Sequence, residues 1–372
     1  MKFIVSSSAL LSHLQAISRV ISSKNTLAIL DDFLFTLSGN ELKITASDLD
    51  TTMVTSIQVE SAEGEGSFAS TARTLLDYLK EFSEQPLNFN IDESTLTITS
   101  DSDNFKIAAI DGDEYPSLPA LESNLTEFMI TAEALVRGIN KSIFATADDE
   151  LRPVMNGIYF DINESGLTFA ASDAHKLVRI TDSSVKDAPV SSFILPKKPA
   201  ALLKNVLPKE DGNVHVEFDS KNASFTLPNY KLVCRLVEGR YPNYNSVIPK
   251  DNPNKMIVDR SALLTTLKRV AVCSNQASNL IKIELEANKA TISAQDIDFS
   301  ISASAVLACQ YSGDELTIGF KSSFLIEILS NIEADEVVLE FADSTRAGVI
   351  LPFEKDETQD LLMLLMPMML ND

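Results

Sequence analysis

Apolar positions along this chain follow two periods, one typical of helices and one typical of strands. After a short apolar stretch at Phe3 to Val5, the residues Leu10, Leu14, Ile17 and Ile21 have the spacing of one helical face packed on a core. The segments FLFTLSG, ELKITAS and TTMVTSIQV then alternate between apolar and polar residues, with turn residues between them. The pattern predicts a strand, a helix and three strands.

The same order of elements recurs before residue 110. A strand over Gly66 to Ser70 precedes a helix with Leu75, Leu76, Leu79 and Phe82 on one side, and LNFNI, TLTITS and FKIAAI read as strands. The first third of the chain is therefore predicted to be a doubled β-α-β-β-β motif.

Landmarks of this unit appear three times at a spacing of about 125 residues. They are a large apolar residue in the opening strand (Phe3, Phe128, Met256), an aspartate after an apolar strand (Asp48, Asp173, Asp296) and a later proline (Pro116, Pro242, Pro367). We predict three repeated domains, over 1–122, 123–250 and 251–372. The fold class is α+β, with antiparallel sheets and two helices in each domain.

Charge is unevenly distributed over these predicted elements. The formal net charge is -22, which by itself disfavours a nucleic-acid partner. The six predicted helices nevertheless hold 14 Lys/Arg against five acidic residues; we place them at Ser6–Lys24, Thr71–Phe82, Thr131–Ala145, Pro196–Glu210, Arg260–Ser274 and Gly319–Asn331. One interpretation is that helices simply tolerate basic residues and that these boundaries inflate the count. The other is a ring whose helices present a basic inner surface to phosphate, with an acidic exterior.

Other features limit the location of the protein. The amino terminus lacks the pattern of a signal peptide, and the longest apolar run, Leu361 to Leu370, is shorter than the roughly 20 residues of a membrane span. The three cysteines, Cys234, Cys273 and Cys309, are widely spaced and predict free thiols. We expect a cytoplasmic protein with no membrane partner.

A metal-dependent hydrolase or nuclease is the competing function class, because paired aspartates can hold Mg²⁺. Recurrence of such pairs at strand ends favours turn chemistry instead, and the histidines lack metal-ligand spacing. We therefore predict no catalytic residue, no metal and no cofactor. A generic scaffold is a third possibility, but it leaves the basic helices unexplained. The pairs are Asp48/Asp50, Asp101/Asp103, Asp111/Asp113 and Asp296/Asp298.

Several motifs, in order and at the right separations, resemble the bacterial sliding clamp family, the beta subunit of DNA polymerase III. They are the MKF opening, TLAIL (26–30), ASDAHKLV (171–178), EGRYPNY (238–244) and MPMML (366–370). The resemblance covers the whole chain. It implies a head-to-tail homodimer forming a six-domain ring, with helices inside and sheets outside, that encircles duplex DNA without sequence preference. It also implies a processivity factor associated with the nucleoid. The implied partners are the DNA polymerase III catalytic subunit and the clamp loader, with other polymerases and repair proteins bound through a short linear motif.

The resemblance also implies which residues contact DNA. Lys24, Arg73, Lys197 and Lys198 retain donors suited to phosphate oxygens. Asp149 and Val154 stand where many clamps have an amide and an aromatic residue, so we leave both out of the predicted DNA contacts.

A partner-peptide pocket is implied between the second and third repeats. Its methionines would adapt to varied apolar anchors. Ala174 and Lys176 stand where glycine and arginine are common, Met369 replaces a usual basic residue, and Asn371 and Asp372 extend past the usual end. The implied pocket residues are Met155, Ser172, Ala174, His175, Lys176, Leu177, Pro242, Val247, Met366, Pro367, Met368 and Leu370.

The subunit contact implied by the family pairs an edge strand of the first repeat with the third repeat of a partner chain. Phe105 and Ile107 would form one side of the apolar seam, and Val272 and Cys273 the other. Pairing would also protect the edge strand from aggregation.

Overall fold

The computed structural model describes residues 1–122, 125–185 and 188–370. It contains two compact units. Unit 1 comprises Met1–Val136 and Lys198–Leu236, and unit 2 comprises Arg137–Lys197 and Val237–Asp372. The three-domain division at 122/123 and 250/251 stays a prediction.

The described residues contain six α-helices, which lie where the sequence pattern predicts them, and each is shorter than predicted. At the first helix, Leu10, Leu14 and Ile17 are fully buried, and the Ala9 N–H donates to the Ser6 hydroxyl at 3.1 Å, which caps the amino-terminal end. The residues after Ile17 form a separate 3-10 turn. The helices are α1 Ser7–Ile17, α2 Ala72–Leu79, α3 Ala132–Ser142, α4 Lys197–Val206, α5 Arg260–Ala271 and α6 Ser322–Ser330.

Unit 1 contains two antiparallel sheets, one of five strands in the order β5-β1-β7-β8-β9 and one of nine in the order β10-β6-β2-β3-β4-β18-β17-β16-β11. Strands that are consecutive in the chain are mostly neighbours, as short turns require. The strands are β1 Lys2–Ser6, β2 Asp32–Ser38, β3 Glu41–Ser47, β4 Thr51–Gln58, β5 Ser61–Glu63, β6 Gly66–Thr71, β7 Pro86–Asp92, β8 Thr95–Thr99, β9 Asn104–Ala108, β10 Ile110–Asp111, β11 Thr126–Thr131, β16 Asn213–Phe218, β17 Asn222–Thr226 and β18 Tyr230–Arg235.

Unit 2 repeats this organisation with a nine-stranded sheet, β15-β12-β13-β14-β27-β26-β25-β19-β23, and a four-stranded sheet, β22-β21-β20-β24. The predicted α+β architecture of antiparallel sheets is confirmed. The strands are β12 Gly157–Asn163, β13 Gly166–Ser172, β14 Lys176–Asp182, β15 Ser191–Pro196, β19 Asn254–Asp259, β20 Leu280–Glu286, β21 Lys289–Asp296, β22 Ile301–Ala308, β23 Gln310–Ser312, β24 Leu316–Lys321, β25 Glu336–Phe341, β26 Gly348–Pro352 and β27 Gln359–Leu365.

The nine-stranded sheet of unit 2 carries apolar residues on both faces. Because successive side chains of a strand point to opposite faces, the adjacent residues Leu177 and Val178 of β14 join different clusters. Val178 packs in the large cluster with residues of α5 and α6. Leu177 packs in a smaller cluster with Tyr241 and Tyr244. The second cluster provides an apolar patch on the face of the sheet that the large cluster does not cover.

The basic bias of the helices is real but is not shared by all six. Within the observed bounds the helices contain nine Lys/Arg against three acidic residues, and eight of the nine lie in α3, α4 and α5. Neither α1 nor α6 contains a lysine or arginine. The bias therefore belongs to three of the six helices, because Arg19 and Lys24 follow the end of α1 and Lys321 ends β24.

Two further observations concern cysteines and membrane spans. Cys234, Cys273 and Cys309 are all free, and complete burial raises the pKa of the Cys234 thiol far above its usual range. Among the residues described, no helix has the length and apolar character needed to cross a membrane.

Candidate functional site

A tight turn over Ser172–Lys176, here called the rim turn, connects β13 to β14. The Asp173 carboxylate accepts the main-chain N–H groups of His175 and Lys176, both at 2.9 Å. The Ser172 hydroxyl accepts the N–H of Ala174 at 3.1 Å. Ala174 has a φ of 75°, in the left-handed region. The short polar side chains thus fix the turn, and Ala174 and His175 are exposed on it.

The carboxyl-terminal segment after β27 runs beside this turn. Met366 donates its N–H to the His175 carbonyl oxygen at 2.8 Å, and Met368 donates to that of Gly319 at 2.8 Å. A Cβ atom at Gly319 would lie 2.8 Å from the main-chain carbonyl oxygen of Met368, so glycine is needed for this approach. Met366 is 42% exposed and Met369 is 78% exposed. Asn371 and Asp372 lie outside the described residues.

The floor beside the rim turn is the apolar cluster that contains Leu177, Tyr241 and Tyr244. Val154 and Ile248 pack against it. Met155, Pro242 and Val247 are the chain neighbours of Val154, Tyr241 and Ile248. We use the name partner groove for the surface made by Met155, Ala174, His175, Leu177, Pro242, Val247 and Met366. Pro242 and Val247 are exposed, whereas Met155 is largely buried.

Lys176 does not belong to the Leu177 side of β14. Its side chain is buried, with Nζ 3.1 Å from the Asp173 carboxylate and 2.9 Å from that of Glu327 on α6. The same ammonium lies 4.5 Å from the centre of the Phe324 ring. The place of Lys176 among the pocket walls stays a prediction. The residue ties the rim turn to α6, because strand alternation directs it away from Leu177.

Two neighbours of the rim turn were missed by sequence reasoning. The His175 ring stacks on Phe324 at a centroid distance of 5.8 Å, and Lys321 Nζ lies 4.6 Å from the centre of the same ring. Phe324 and Lys321 belong to the third repeat, where FKSSF reads as the ordinary start of a helix. No local pattern connects them to His175.

Three of the predicted DNA contacts lie in unit 1. Lys24 is exposed in the loop after α1, and Arg73 is exposed on α2; neither has an ion pair in the described part of the chain. Lys198 forms an ion pair with Asp48 and donates to the Val20 carbonyl oxygen at 2.7 Å. Lys24 and Arg73 are therefore the two whose donors are available to an incoming phosphate.

The fourth predicted contact, Lys197, lies in unit 2. Its ammonium forms a 2.7 Å ion pair with Asp148. In the following loop, the Arg152 side chain donates to the Asp149 carboxylate at 2.8 Å and lowers the pKa of that group. Because an ionised carboxylate repels phosphate, this geometry agrees with leaving Asp149 out of the DNA contacts.

The residues predicted at a subunit seam lie on or near free sheet edges. In unit 1, Phe105 and Ile107 are half-buried on β9, the edge of the five-stranded sheet, and Phe105 stacks on Tyr78 with ring centroids 3.8 Å apart. In unit 2, Val272 is 76% exposed just after α5, and Cys273 beside it is half-buried. The edge strand β22 of that unit was not singled out from the sequence.

The Asp-x-Asp pairs act in turns. Asp296 accepts the N–H groups of Asp298 and Phe299, and Asp111 accepts that of Asp113. In the described residues, the one group of three potential metal ligands is Glu127, His215 and Glu217 on β11 and β16, which includes none of these pairs. The aspartate pairs are thus explained by turn geometry.

A cleft of about 820 Å³ in unit 2 has Tyr244 among its lining residues. Two of its basic residues are ion-paired, with Arg137 3.2 Å from Asp182 and Lys141 3.0 Å from Glu333. None of Met366, Pro367 and Met368 lines it, so it is separate from the predicted site.

Comparison with known proteins identifies the same family along nearly the whole chain. Sequence profiles of the DNA polymerase III beta subunit match as the N-terminal domain (1–119), the central domain (129–243) and the C-terminal domain (245–369). The beta sliding clamp of Pseudomonas aeruginosa is 26% identical over 365 residues, which cover 98% of this chain and 99% of that protein. The beta sliding clamp of Haemophilus influenzae is 25% identical over the full length of both.

Solved structures give the same result for the fold. The Pseudomonas aeruginosa sliding clamp bound to griselimycin superposes with a TM-score of 0.93 at 25% identity, covering 100% of both chains. The DNA polymerase III beta subunit of Thermotoga maritima superposes with a TM-score of 0.92 at 27% identity, again over 100% of both chains. The chain therefore belongs to the DNA polymerase III beta subunit family, the bacterial sliding clamps.

Proposed function

We propose that this protein is a sliding clamp that closes into a ring around duplex DNA as a head-to-tail homodimer and tethers the replicative polymerase to its template. Each chain contributes three clamp domains, 1–122, 123–250 and 251–372, so that two chains complete six. The observation that carries the ring is that β9 in unit 1 and β22 in unit 2 are edge strands within the described residues and carry apolar residues, Phe105 and Ile107 on β9 and Val306 on β22.

The occupant of these edges that is best supported is a second copy of the chain. Strand β9 offers unpaired main-chain groups beside Phe105 and Ile107, and β22 offers them beside Val306, which is 66% exposed. Pairing β9 of one chain with β22 of the other satisfies both edges and buries Val272. Repetition of the same contact by the second chain closes the ring.

DNA is held through its backbone in this proposal. Lys24 and Arg73 supply free donors to phosphate oxygens, and Lys197 and Lys198 do so after exchanging their present carboxylate partners. The net charge of -22 weakens docking of DNA elsewhere on the protein. Such contacts read no bases, so the clamp can slide along any sequence.

Tethering is assigned to the partner groove. Exposed Met366, Pro242 and Val247 beside buried Leu177 suit a short linear motif with apolar anchors. The proposed ligands are the DNA polymerase III catalytic subunit, the clamp loader, and other polymerases and repair proteins, which would compete for one groove. The clamp itself acts as a processivity factor without catalysis.

The decisive experiment tests topological linkage. Clamp placed on nicked circular DNA by its loader should stay bound in salt that strips ordinary phosphate contacts, because encirclement does not depend on ion pairs. Cutting the circle with a restriction enzyme should release it. The variant Ile107→Asp, which cannot close the seam, is the control and should wash off the intact circle. Equal loss of the unaltered clamp from circles and linear fragments would refute encirclement.

A further inference from the structure

The rim turn has a close counterpart in unit 1, over Ser47–Thr51. Asp48 accepts the N–H groups of Asp50 at 3.1 Å and Thr51 at 2.7 Å, as Asp173 does in the rim turn. The Ser47 hydroxyl accepts the N–H of Leu49 at 3.1 Å, and Leu49 has a φ of 77°. The two turns therefore share their hydrogen bonds and their left-handed residue, and Leu49 takes the place of Ala174.

The neighbouring strands also correspond. Cys234 of β18 pairs with Thr51 just as Leu365 of β27 pairs with Lys176. The next residue, Arg235, donates its N–H to the Asp50 carbonyl oxygen at 2.8 Å, the same bond that Met366 makes to the carbonyl oxygen of the rim turn. Unit 1 thus reproduces the turn and the strand pairing beside the partner groove as far as Arg235; the next residue, Leu236, donates its N–H to the Lys221 carbonyl oxygen instead of following the path of the carboxyl-terminal segment.

An apolar cluster lies under the unit 1 turn as well. Tyr115 packs there with Leu30 and Ala69, and Leu34 and Leu118 border it. By the repeat spacing, Tyr115 corresponds to Tyr241, the floor residue of the partner groove. The two sites share a backbone and a buried tyrosine.

Side chains at three positions distinguish the two sites. Leu49 is half-buried and packs against the Tyr115 cluster, whereas Ala174 is exposed and has no side chain beyond Cβ. Asp50 and Arg235 form an ion pair at 3.5 Å where the groove has His175 and Met366. An apolar anchor would have to displace a leucine and desolvate a charge pair to enter the unit 1 site.

We propose that unit 1 contains a second copy of the partner-groove scaffold, closed by Leu49 and bordered by the exposed Asp50–Arg235 pair. The side chain at the left-handed turn position then decides which copy accepts a partner peptide. The floor tyrosines are equally buried, Tyr115 at 8% and Tyr241 at 7% exposed, so the difference lies in the turn itself: Leu49 packs on the Tyr115 cluster, whereas Ala174 is exposed and adds no side chain beyond Cβ. The inference rests on the proposed tethering role of the partner groove, and it restricts each chain to one partner.

The direct test places a leucine in the partner groove at the position equivalent to Leu49. Leu49 shows that leucine is accepted in this left-handed turn, so Ala174→Leu should fold normally while its side chain covers the groove. We expect at least tenfold weaker binding of a fluorescent peptide that contains one glutamine and spaced Leu and Phe anchors, measured by anisotropy. The matched control is Ala277→Leu, at another exposed alanine of unit 2 whose N–H is bound by a turn side chain, Asn275, at 3.0 Å. It should bind like the unaltered protein.

The reciprocal test opens the closed site. Leu49→Ala combined with Asp50→His and Arg235→Met should raise the peptide stoichiometry in calorimetry from one to two per chain. Unchanged affinity in a folded Ala174→Leu protein would overturn the proposal, and so would one peptide per chain in the folded triple variant. Failure of the unaltered protein to bind any such peptide would contradict the proposed tethering instead. Circular dichroism and dimer mass establish that each variant is folded.

Discussion

The main-chain N–H of Met366 donates to the carbonyl oxygen of His175 at 2.8 Å, which joins the carboxyl-terminal segment to a turn that lies far from it in sequence. The bond continues the β14–β27 pairing by one residue beyond Lys176 and Leu365. Both residues are exposed at this point. The partner groove is therefore formed by two distant parts of the chain, and its two walls depend on each other.

Removing the carboxyl-terminal wall should abolish partner binding. Deletion of residues 366–372 removes Met366 and the Met368 bond to Gly319, but it leaves the strand edges of the seam intact, so the dimer should persist. Met366→Ala should cost roughly 1 to 3 kcal/mol of peptide binding, or about ten- to a hundredfold in affinity, because apolar anchors carry most of the energy. His175→Ala should have a smaller effect. Peptide anisotropy measures both.

Met129→Ala is the control for this series, since Met129 is 51% exposed in unit 1 and lies outside the groove. Equal affinity for intact and truncated protein would place the partner site elsewhere.

Charge introduced at the seam should give soluble monomers. Ile107→Asp and Val272→Asp each place an unpaired carboxylate where the proposed dimer buries apolar surface. Light scattering at micromolar concentration should change from twice the 40.7 kDa chain mass to that mass itself. Val190→Asp is the matched control, because Val190 is also 76% exposed in unit 2. A dimer that survives both seam variants would show that the interface is elsewhere.

Loss of free phosphate donors should weaken loading and flatten its salt dependence. Lys24→Ala and Arg73→Ala should each reduce the slope of log affinity against log salt by up to about 0.9, the value for one phosphate contact. Adding Lys197→Ala and Lys198→Ala should weaken loading further, with stability changed by less than about 0.5 kcal/mol. Lys43→Ala, at an exposed lysine of β3, should leave the slope unchanged. Equal slopes in all variants would contradict the assigned contacts.

Asp32 should make unit 1 less stable as the pH rises from about 4 to 6. Burial, aided by the negative charge of Asp31, raises the pKa of Asp32 to about 6. Below its unfolded-state pKa the group is protonated in both states. As the pH rises through the folded-state pKa, ionisation in a buried position costs on the order of 2 to 3 kcal/mol.

Asp32→Asn should therefore raise the unfolding midpoint at pH 8 and leave it nearly unchanged at pH 4. Thermal melts across this range measure the difference, with exposed Asp92→Asn as the control. An equal gain at both pH values would contradict the titration of Asp32.

Lys176 should contribute mainly to stability. Lys176→Met leaves the Asp173 and Glu327 carboxylates without the ammonium that lies 3.1 and 2.9 Å from them. We expect a loss of about 1 to 3 kcal/mol in urea unfolding, because a partly buried ion pair is broken on one side. Lys268→Met, at an exposed lysine of α5, should stay within about 0.5 kcal/mol. A matching small loss at Lys176 would show that its ion pairs do not stabilise unit 2.

The sequence by itself determined the repeated elements and the family. The spacing of Leu10, Leu14 and Ile17 places all three on the buried face of α1, and alternation in FLFTLSG and ELKITAS yields β2 and β3. Turn residues such as Asp48 and Asp173 accept main-chain N–H groups within their turns, as their short polar side chains predict. These features depend on neighbours a few residues away, so they can be read from the chain.

Only the tertiary structure decided which side chains meet. Lys176 belongs to the ASDAHKLV motif in the sequence. In the structure, strand alternation and the position of α6 direct its side chain towards Glu327 and Phe324. Lys198 carries a charge suited to phosphate, but the fold places Asp48 beside it. Leu49 and Ala174 occupy equivalent turns, and only the structure shows that Leu49 packs on the Tyr115 cluster while Ala174 is exposed. Contacts between distant segments depend on strand register and helix packing, which no local pattern of residues specifies.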